Sequence, residues 1–292
     1  MPYSIVLSYV QAETLLSAQR QGHESVAISP DLGISTVTAQ VTQEGVLFPS
    51  GEQLPWQQLE KIQKADGNCF VVERNGNAKN EWGDWDIRPI QVFSEATNRM
   101  CSLLPTKHTP SMLIAGFTMH RIVDIDPMQD TRKKIATLTP LAGRVLDTAT
   151  GLGYTAIEAA KTAEQVVTIE LDPGAQEIAR LNPWSRNLFD NPKIQQVMGN
   201  AYEVVPTFEN EHFSAILHDP PVFSLAGELY SGTFYRELYR VLKRGGKLFH
   251  YIGNLESKSS GTVARGALRR LQESGFTRVV KRPEAFGVVA YK

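Results

Sequence analysis

The sequence predicts an α/β protein: a doubly wound, mostly parallel sheet whose last strand runs antiparallel, preceded by a small β-rich domain. Three observations carry this prediction. From about Leu141, continuous apolar runs suited to buried strands alternate with segments of helical pattern, the mark of parallel strands covered on both faces by helices. The C-terminal "RVVKRPEAFGVVAYK" holds two strand-like runs with only a short turn between them; a parallel return needs a crossover, so the last strand must turn back. Up to about residue 110 the texture differs, with short runs such as "STVTAQVTQEGVLFPSG" and "NCFVVERNGNAK" punctuated by Gly, Pro and Asn. The reading is therefore a β-rich accessory or substrate domain over residues 1–112 and a ligand-binding α/β domain over residues 113–292.

The first domain offers no catalytic motif, and Trp82 and Trp85 in its polar tract "NGNAKNEWGDWDI" read as packing residues. "MHRIVDIDPMQDTRKKI" comes after it, with His120, Arg121, Asp124, Asp126 and Asp130. It reads as a linker entering a helix capped by Asp130, or as a lid. The acids lack the glycine and terminal Glu of a calcium loop, so no metal is expected. Next come "RVLDTAT" and the helix "YTAIEAAKTA", "QVVTIEL" and "GAQEIARLN", "KIQQVMG", "FSAILHD" and a helix from "GELY", then "KLFHYIG" and "VARGALRRLQESG". Trp184 of "NPWSRNLF" is expected to pack, Tyr235 and Tyr239 likewise, and the basic "RGALRRL" to be a solvated helix face.

Composition limits the function. The chain has 292 residues, 42% hydrophobic and 21% charged, with a net charge of −1, which argues against an enveloping nucleic-acid surface. Its two cysteines, Cys69 and Cys101, form no CxxC pair, so neither a zinc site nor a disulfide framework is expected and a reducing cytoplasm is the simplest setting. No apolar run is long enough to span a bilayer, and "MPYSIVLSYVQAETLL" lacks the features of a signal peptide.

Open sheets of this kind bind ligands beyond the carboxyl ends of their strands, where the winding reverses. After the first such strand comes Asp147-Thr148-Ala149-Thr150-Gly151-Leu152-Gly153-Tyr154. Gly151 and Gly153 permit a tight turn and close backbone approach, and the helix after them presents open N–H groups. Glu170 ends the next strand roughly twenty positions on, where a ribose acceptor belongs. A dinucleotide would bring pyrophosphate against Asp147, whereas S-adenosylmethionine brings a sulfonium and an ammonium that an acid can face.

These residues resemble the class I S-adenosylmethionine-dependent methyltransferases, through "VLDTATGLGYTA", "VVTIELD", "VMGNAYEVV" and "ILHDPP" in order over about Leu141 to Lys292. A closer similarity, through "GFTMHRIVDIDPMQDT", "LNPWSRNLF" and "HDPPVFSLAGELYSGTFYRELYRVLKRGGKLFHYIGN", is to the predicted archaeal-type methyltransferases that have been compared with spermidine synthases. The resemblance implies a seven-stranded Rossmann-like sheet. It implies that Asp147, Thr150, Gly151, Gly153 and Tyr154 line the methionine end of the cofactor. Glu170, with Leu171 after it, would take the ribose, Gly199-Asn200-Ala201 would lie beside adenine, and Asp219 would stand at the sulfonium.

In amino-group methyltransferases an Asn or Asp before Pro-Pro-aromatic accepts hydrogen bonds from the substrate nitrogen through its side chain and a prolyl carbonyl. Here the acid is Asp219, followed by Pro220 and Pro221, with Val222 in the aromatic slot and Phe223 one later. His218 is read either as a proton acceptor or as a strand-closing residue bonded to backbone, and His250, Tyr230, His120 and Arg121 as substrate-side candidates. A cytosine C5 mechanism would need a cysteine near this loop, and none is present. The function expected is methyl transfer to a nitrogen nucleophile of a small molecule, RNA or protein, by a soluble, cytoplasmic protein capable of pairing as a homodimer. The alternatives are aminopropyl transfer to a polyamine, and a cofactor-binding scaffold without turnover.

Overall fold

The computed structural model describes residues 5–74, 85–254 and 261–292, and the chain divides into two compact units, Met1–Pro127 with Glu177–Arg186, and Met128–Gln176 with Asn187–Lys292. The first unit holds three antiparallel sheets. Ser25–Ile28, Val37–Val41, Gly45–Leu47 and Gln53–Pro55 form one meander, Gln91–Ser94, Arg99–Leu104, Ser111–Ile114 and Phe117–Thr118 a second, and Phe70–Arg74 is flanked by Ile5–Leu7 and Trp85–Pro89 in a third. Residue 112 lies within the Ser111–Ile114 strand, whose partner Phe117–Thr118 comes directly after it. Trp85 packs against the unit's apolar core; Trp82 lies outside the described residues.

Two helices, Tyr9–Arg20 and Trp56–Lys64, join these strands. Ser8 and Gln11 close a capping box on the first, which satisfies two backbone donors at its start. Ala12, Leu15 and Leu16 on that helix and Trp56, Leu59 and Ile62 on the other share the buried face that builds the core with Leu7, Phe48 and Leu54.

The second unit is one seven-stranded sheet: β1 (Arg144–Asp147), β2 (Gln165–Glu170), β3 (Ile194–Met198), β4 (Phe213–His218), β5 (Leu242–Tyr251), β6 (Arg278–Arg282) and β7 (Gly287–Tyr291). Its order is β3-β2-β1-β4-β5-β7-β6, with β1 to β5 parallel and β7 antiparallel to both β5 and β6. The winding reverses between β1 and β4, so the carboxyl ends of these two strands frame the crevice that such a sheet leaves for a ligand. The helices are α1 (Pro127–Ala136), α2 (Tyr154–Ala159), α3 (Pro173–Leu181), α4 (Arg186–Asp190), α5 (Ala201–Val204), α6 (Gly232–Val241) and α7 (Gly261–Glu273).

Strand residues Leu146, Ile216 and Leu248 pack with Phe234 and Leu238 of α6 and Leu271 of α7, all essentially buried; each such side chain contributes about 1.5–3 kcal/mol. "GELY" forms a single 3-10 turn, Gly227–Tyr230, and the helix begins at Gly232, where the Ser231 hydroxyl accepts from the Phe234 N–H at 3.1 Å. Asp130 is not a cap: it lies inside α1 and is fully buried. Of the basic stripe on α7, Arg269 is solvated beside Glu273, but Arg270 turns inward and donates to the Tyr230 carbonyl at 2.8 Å. Among the described residues no helix is long and apolar enough to cross a membrane.

Candidate functional site

The parallel register brings Asp147 to the end of β1 with no exposed surface. Its Oδ2 accepts from the Thr155 hydroxyl at 2.9 Å and the Thr168 hydroxyl at 3.1 Å, while Oδ1 is buried without a hydrogen-bond partner. Since the Thr168 hydroxyl donates to Asp147, it accepts from that of Thr150, 2.7 Å away. Burial lifts the Asp147 carboxyl from an ordinary 3.8 to about 7, although the two threonine bonds favour the charged form. An orphaned buried acceptor costs about 1–3 kcal/mol, and a cation set against it would recover that cost.

Gly151 (φ 53°) and Gly153 (φ 75°) both occupy the left-handed region. At Gly153 a Cβ would also lie 2.7 Å from Leu188 Cδ2, so the close approach this glycine permits is to α4. The Gly151 N–H donates to Glu170 Oε2 at 2.8 Å, and Oε1 accepts from the Asp172 N–H at 2.9 Å. Burial pushes the Glu170 carboxyl up to about 7 against these two donors. Leu171 and Met198, after β2 and at the end of β3, are 48% and 43% exposed, an apolar pair beside the acid. Gly199 turns the chain at φ 153°, its N–H bonded to the Glu170 carbonyl, and Asn200 caps α5 through its amide oxygen, which accepts from the Tyr202 N–H at 2.9 Å. Ala201 and Tyr154 are buried behind this surface.

Asp219 comes directly after β4, and its Oδ2 lies 2.6 Å from the ammonium of Lys134, a residue that the sequence motifs do not single out. Lys134 is 2% exposed and pairs with Asp130 at 2.9 Å, one turn earlier on α1. Its nitrogen stands 4.6 Å from the centre of the Tyr251 ring, within cation–π range. Burial opposes the ammonium charge, but the two carboxylates outweigh it and hold the lysine protonated above its usual range. Breaking such a buried pair by removing one partner costs about 3–5 kcal/mol.

His218 is fully buried, and both ring nitrogens are committed. The Leu229 carbonyl, 2.9 Å from Nε2, can only accept, so Nε2 carries the proton and Nδ1 accepts from the Thr148 hydroxyl at 2.7 Å. Burial lowers its pKa to about 3. The ring is a strut between β4 and the turn beyond it, the backbone-bonded one of the two readings the sequence leaves open, with no ring nitrogen spare to take a proton from substrate. His250, its register partner on β5, donates from Nδ1 to the His218 carbonyl at 3.3 Å and accepts at Nε2 from the Tyr235 hydroxyl at 2.8 Å. It too is fully buried and kept neutral by burial.

Tyr230 is 4% exposed and donates to the Pro221 carbonyl at 3.0 Å, so that carbonyl is already engaged and the tyrosine braces the loop from behind. Pro220 is buried, while Phe223 is 50% exposed and meets the Tyr230 ring edge-on at 5.5 Å. His120 bonds Ser111 at 3.1 Å and, with Arg121, belongs to the first unit. Trp184, also of that unit, packs with its indole N–H on the Leu32 carbonyl at 3.0 Å.

The residues at the carboxyl edge of the sheet fit S-adenosylmethionine: an unpartnered buried carboxylate oxygen for a cation, a braced acid for hydroxyls, and an apolar pair for a planar base. Lys134, Met198, Thr155 and Thr168 add to the set expected from the sequence. Asp130 and Lys134 do carry a readable signal, the i,i+4 spacing, and Lys134 stands after Thr131 at the i+3 spacing of the buried face of α1.

A model of a methyltransferase domain matches residues 146–250. The chain is 41% identical to the uncharacterized protein MJ1233 of Methanocaldococcus jannaschii over 247 residues, 84% of this chain and 80% of that one. It is 29% identical to a polyamine aminopropyltransferase of Aeropyrum pernix over 152 residues, half of this chain and 46% of the other. A spermidine synthase crystallised with the transition-state analogue AdoDATO superposes with a TM-score of 0.55 at 21% identity, covering 76% of this chain and 78% of that one, a likeness of fold. By sequence, sheet order and domain match, the chain belongs to the family of the Methanocaldococcus protein and carries the class I methyltransferase fold.

Proposed function

We propose that the chain is an S-adenosylmethionine-dependent methyltransferase whose acceptor is a nitrogen nucleophile held at Asp219. The observation that supports this reading is the 2.6 Å pairing of Asp219 with buried Lys134, which fixes a carboxylate at the crevice edge that Asp147 shares. When bound, S-adenosylmethionine supplies a methyl group on a cationic sulfur. In this reading Asp147 would face the positive charge, Glu170 would accept from the ribose hydroxyls, Leu171 and Met198 would flank the base, and Gly199, Asn200 and Ala201 would lie beside it. Asp219 accepts a hydrogen bond from the acceptor N–H and aims the nitrogen lone pair; near-attack positioning supplies much of the acceleration. Exposed Phe223 offers the acceptor an aromatic face. Bound there, S-adenosylmethionine would supply the methyl carbon and keep the carbon–sulfur pair on its sulfur, and the methylated nitrogen would release its extra proton to water.

The acceptor is a small molecule, an RNA or a protein side chain, and the net charge of −1 weighs against an extended nucleic-acid contact. In this reading the first unit is an accessory domain and two copies of the chain pair as a homodimer. The two cysteines, Cys69 and Cys101, are both buried and suit a reducing cytoplasm. The test supplies S-adenosylmethionine labelled in its methyl group to small-molecule, RNA and protein fractions. The reading expects label in one of them, reduced roughly 100-fold or more by Asp219→Ala; undiminished transfer by that variant removes Asp219 from the mechanism.

A second reading is aminopropyl transfer to a polyamine, favoured by the name of the Aeropyrum relative. It expects decarboxylated S-adenosylmethionine to be consumed in place of the methyl donor. A protein that binds cofactor and turns over neither would be a scaffold.

A further inference from the structure

We infer that Lys134 is a specificity-determining residue: by neutralising Asp219 from inside the fold, it makes the acceptor site favour an uncharged nitrogen and reject a cationic aliphatic amine. The inference rests on the reading that Asp219 meets the acceptor. Lys134 reaches Asp219 from α1 with its ammonium 2.6 Å from Oδ2, and Asp130 holds the same nitrogen at 2.9 Å from one turn back. Lys134 and Asp130 are 2% and 0% exposed and the Asp219 side chain 16%, so the cation stands on the interior side of Asp219 and only that acid reaches solvent. An alkylammonium approaching this carboxylate would share it with a fixed positive charge a few ångströms away, a like-charge contact that opposes binding and that the more deeply buried Asp130 offsets only in part. An amide or ring-conjugated N–H would meet no such opposition.

The proton balance points the same way. An aliphatic amine arrives protonated, with a pKa near that of lysine, about 10.4, and must shed a proton before its lone pair can attack. His218 and His250 have both ring nitrogens engaged within the fold, and Asp219 is paired to a cation. A nitrogen conjugated with a carbonyl or a ring arrives neutral and needs no such step.

The experiment titrates 1,4-diaminobutane into the full chain saturated with S-adenosylhomocysteine, comparing the wild type, Lys134→Met and the double variant Asp130→Asn/Lys134→Met. The single variant strands the buried Asp130 and is prone to unfold; the double variant removes that acid with its cation and takes the Lys134 ammonium away from Asp219 at the solvent edge. The expected result is diamine binding at least roughly tenfold tighter to the double variant than to the wild type, a gain that a purely structural lysine would not produce. A double variant that holds S-adenosylhomocysteine but binds the diamine no better than the wild type overturns the inference. So does a wild type that binds the diamine as tightly as the variant. Failure of every form to bind S-adenosylhomocysteine strikes instead at the cofactor reading beneath it.

Discussion

Asp147→Asn separates what the fold tolerates from what the site needs. In the folded chain the carboxyl is lifted from 3.8 to about 7 by burial, so between those values the folded state holds a proton that the unfolded state has lost. Stability attributable to this group is therefore complete at acid pH and declines as pH rises from about 4 to 7. The gap between 3.8 and about 7 corresponds to on the order of 4 kcal/mol at most. Asparagine keeps the shape, and the Thr155 and Thr168 hydroxyls, which now donate to Oδ2, can rotate to accept from its amide. We expect the variant to melt higher than the wild type at pH 8, by up to roughly 16 °C at about 2–4 °C per kcal/mol, and to match it at pH 4. Its affinity for S-adenosylmethionine should fall roughly tenfold or more as one ionic contact is lost. Melting curves across pH and calorimetric titration read both effects. Equal melting at pH 8, or a gain that persists undiminished at pH 4, would refute the linkage.

Two further substitutions probe the scaffold. Gly153→Ala forces a Cβ to within 2.7 Å of Leu188 at φ 75°; the left-handed strain of about 1–2 kcal/mol and overpacking of about 1–3 kcal/mol should lower the melting temperature, and an unchanged value would contradict the packing described. His218 is depressed from 6.5 to about 3, so its contribution to stability is full above pH 6.5 and is lost as pH falls below it. Between pH 6.5 and 5 that loss is roughly 2 kcal/mol. The stability deficit of His218→Gln relative to the wild type should therefore narrow over this interval in denaturant titrations, and a constant deficit would mean that the ring is not held neutral.

The parallel strands are legible because each is a continuous apolar run closed by a polar or glycine turn: "RVLDTATG" and "FSAILHDPP" announce both the end of a strand and the character of the loop beyond it. The reversed last strand is legible from the brevity of its turn. The two helices of the first unit are hidden, because "YVQAETLLSAQR" and "WQQLEKIQK" sit among strand-like runs; the Ser8–Gln11 box and the three-residue spacing of Trp56, Leu59 and Ile62 are the signals available. Lys134 escapes for a different reason. Its position in "DTRKKIATL" resembles any solvated helix, and its partner Asp219 lies 85 residues away in sequence, so only the closed sheet brings the charges together. The two parts open to His218, base or strut, differ in nothing local; the Leu229 carbonyl that decides between them comes from the turn beyond the loop.

The most direct test of the account is a side-by-side calorimetric titration of the full chain with S-adenosylmethionine, S-adenosylhomocysteine and decarboxylated S-adenosylmethionine. The two carboxylate-bearing ligands are expected to bind, and the decarboxylated one to bind more weakly. Preference for the decarboxylated form would contradict methyl transfer and assign the site to aminopropyl chemistry.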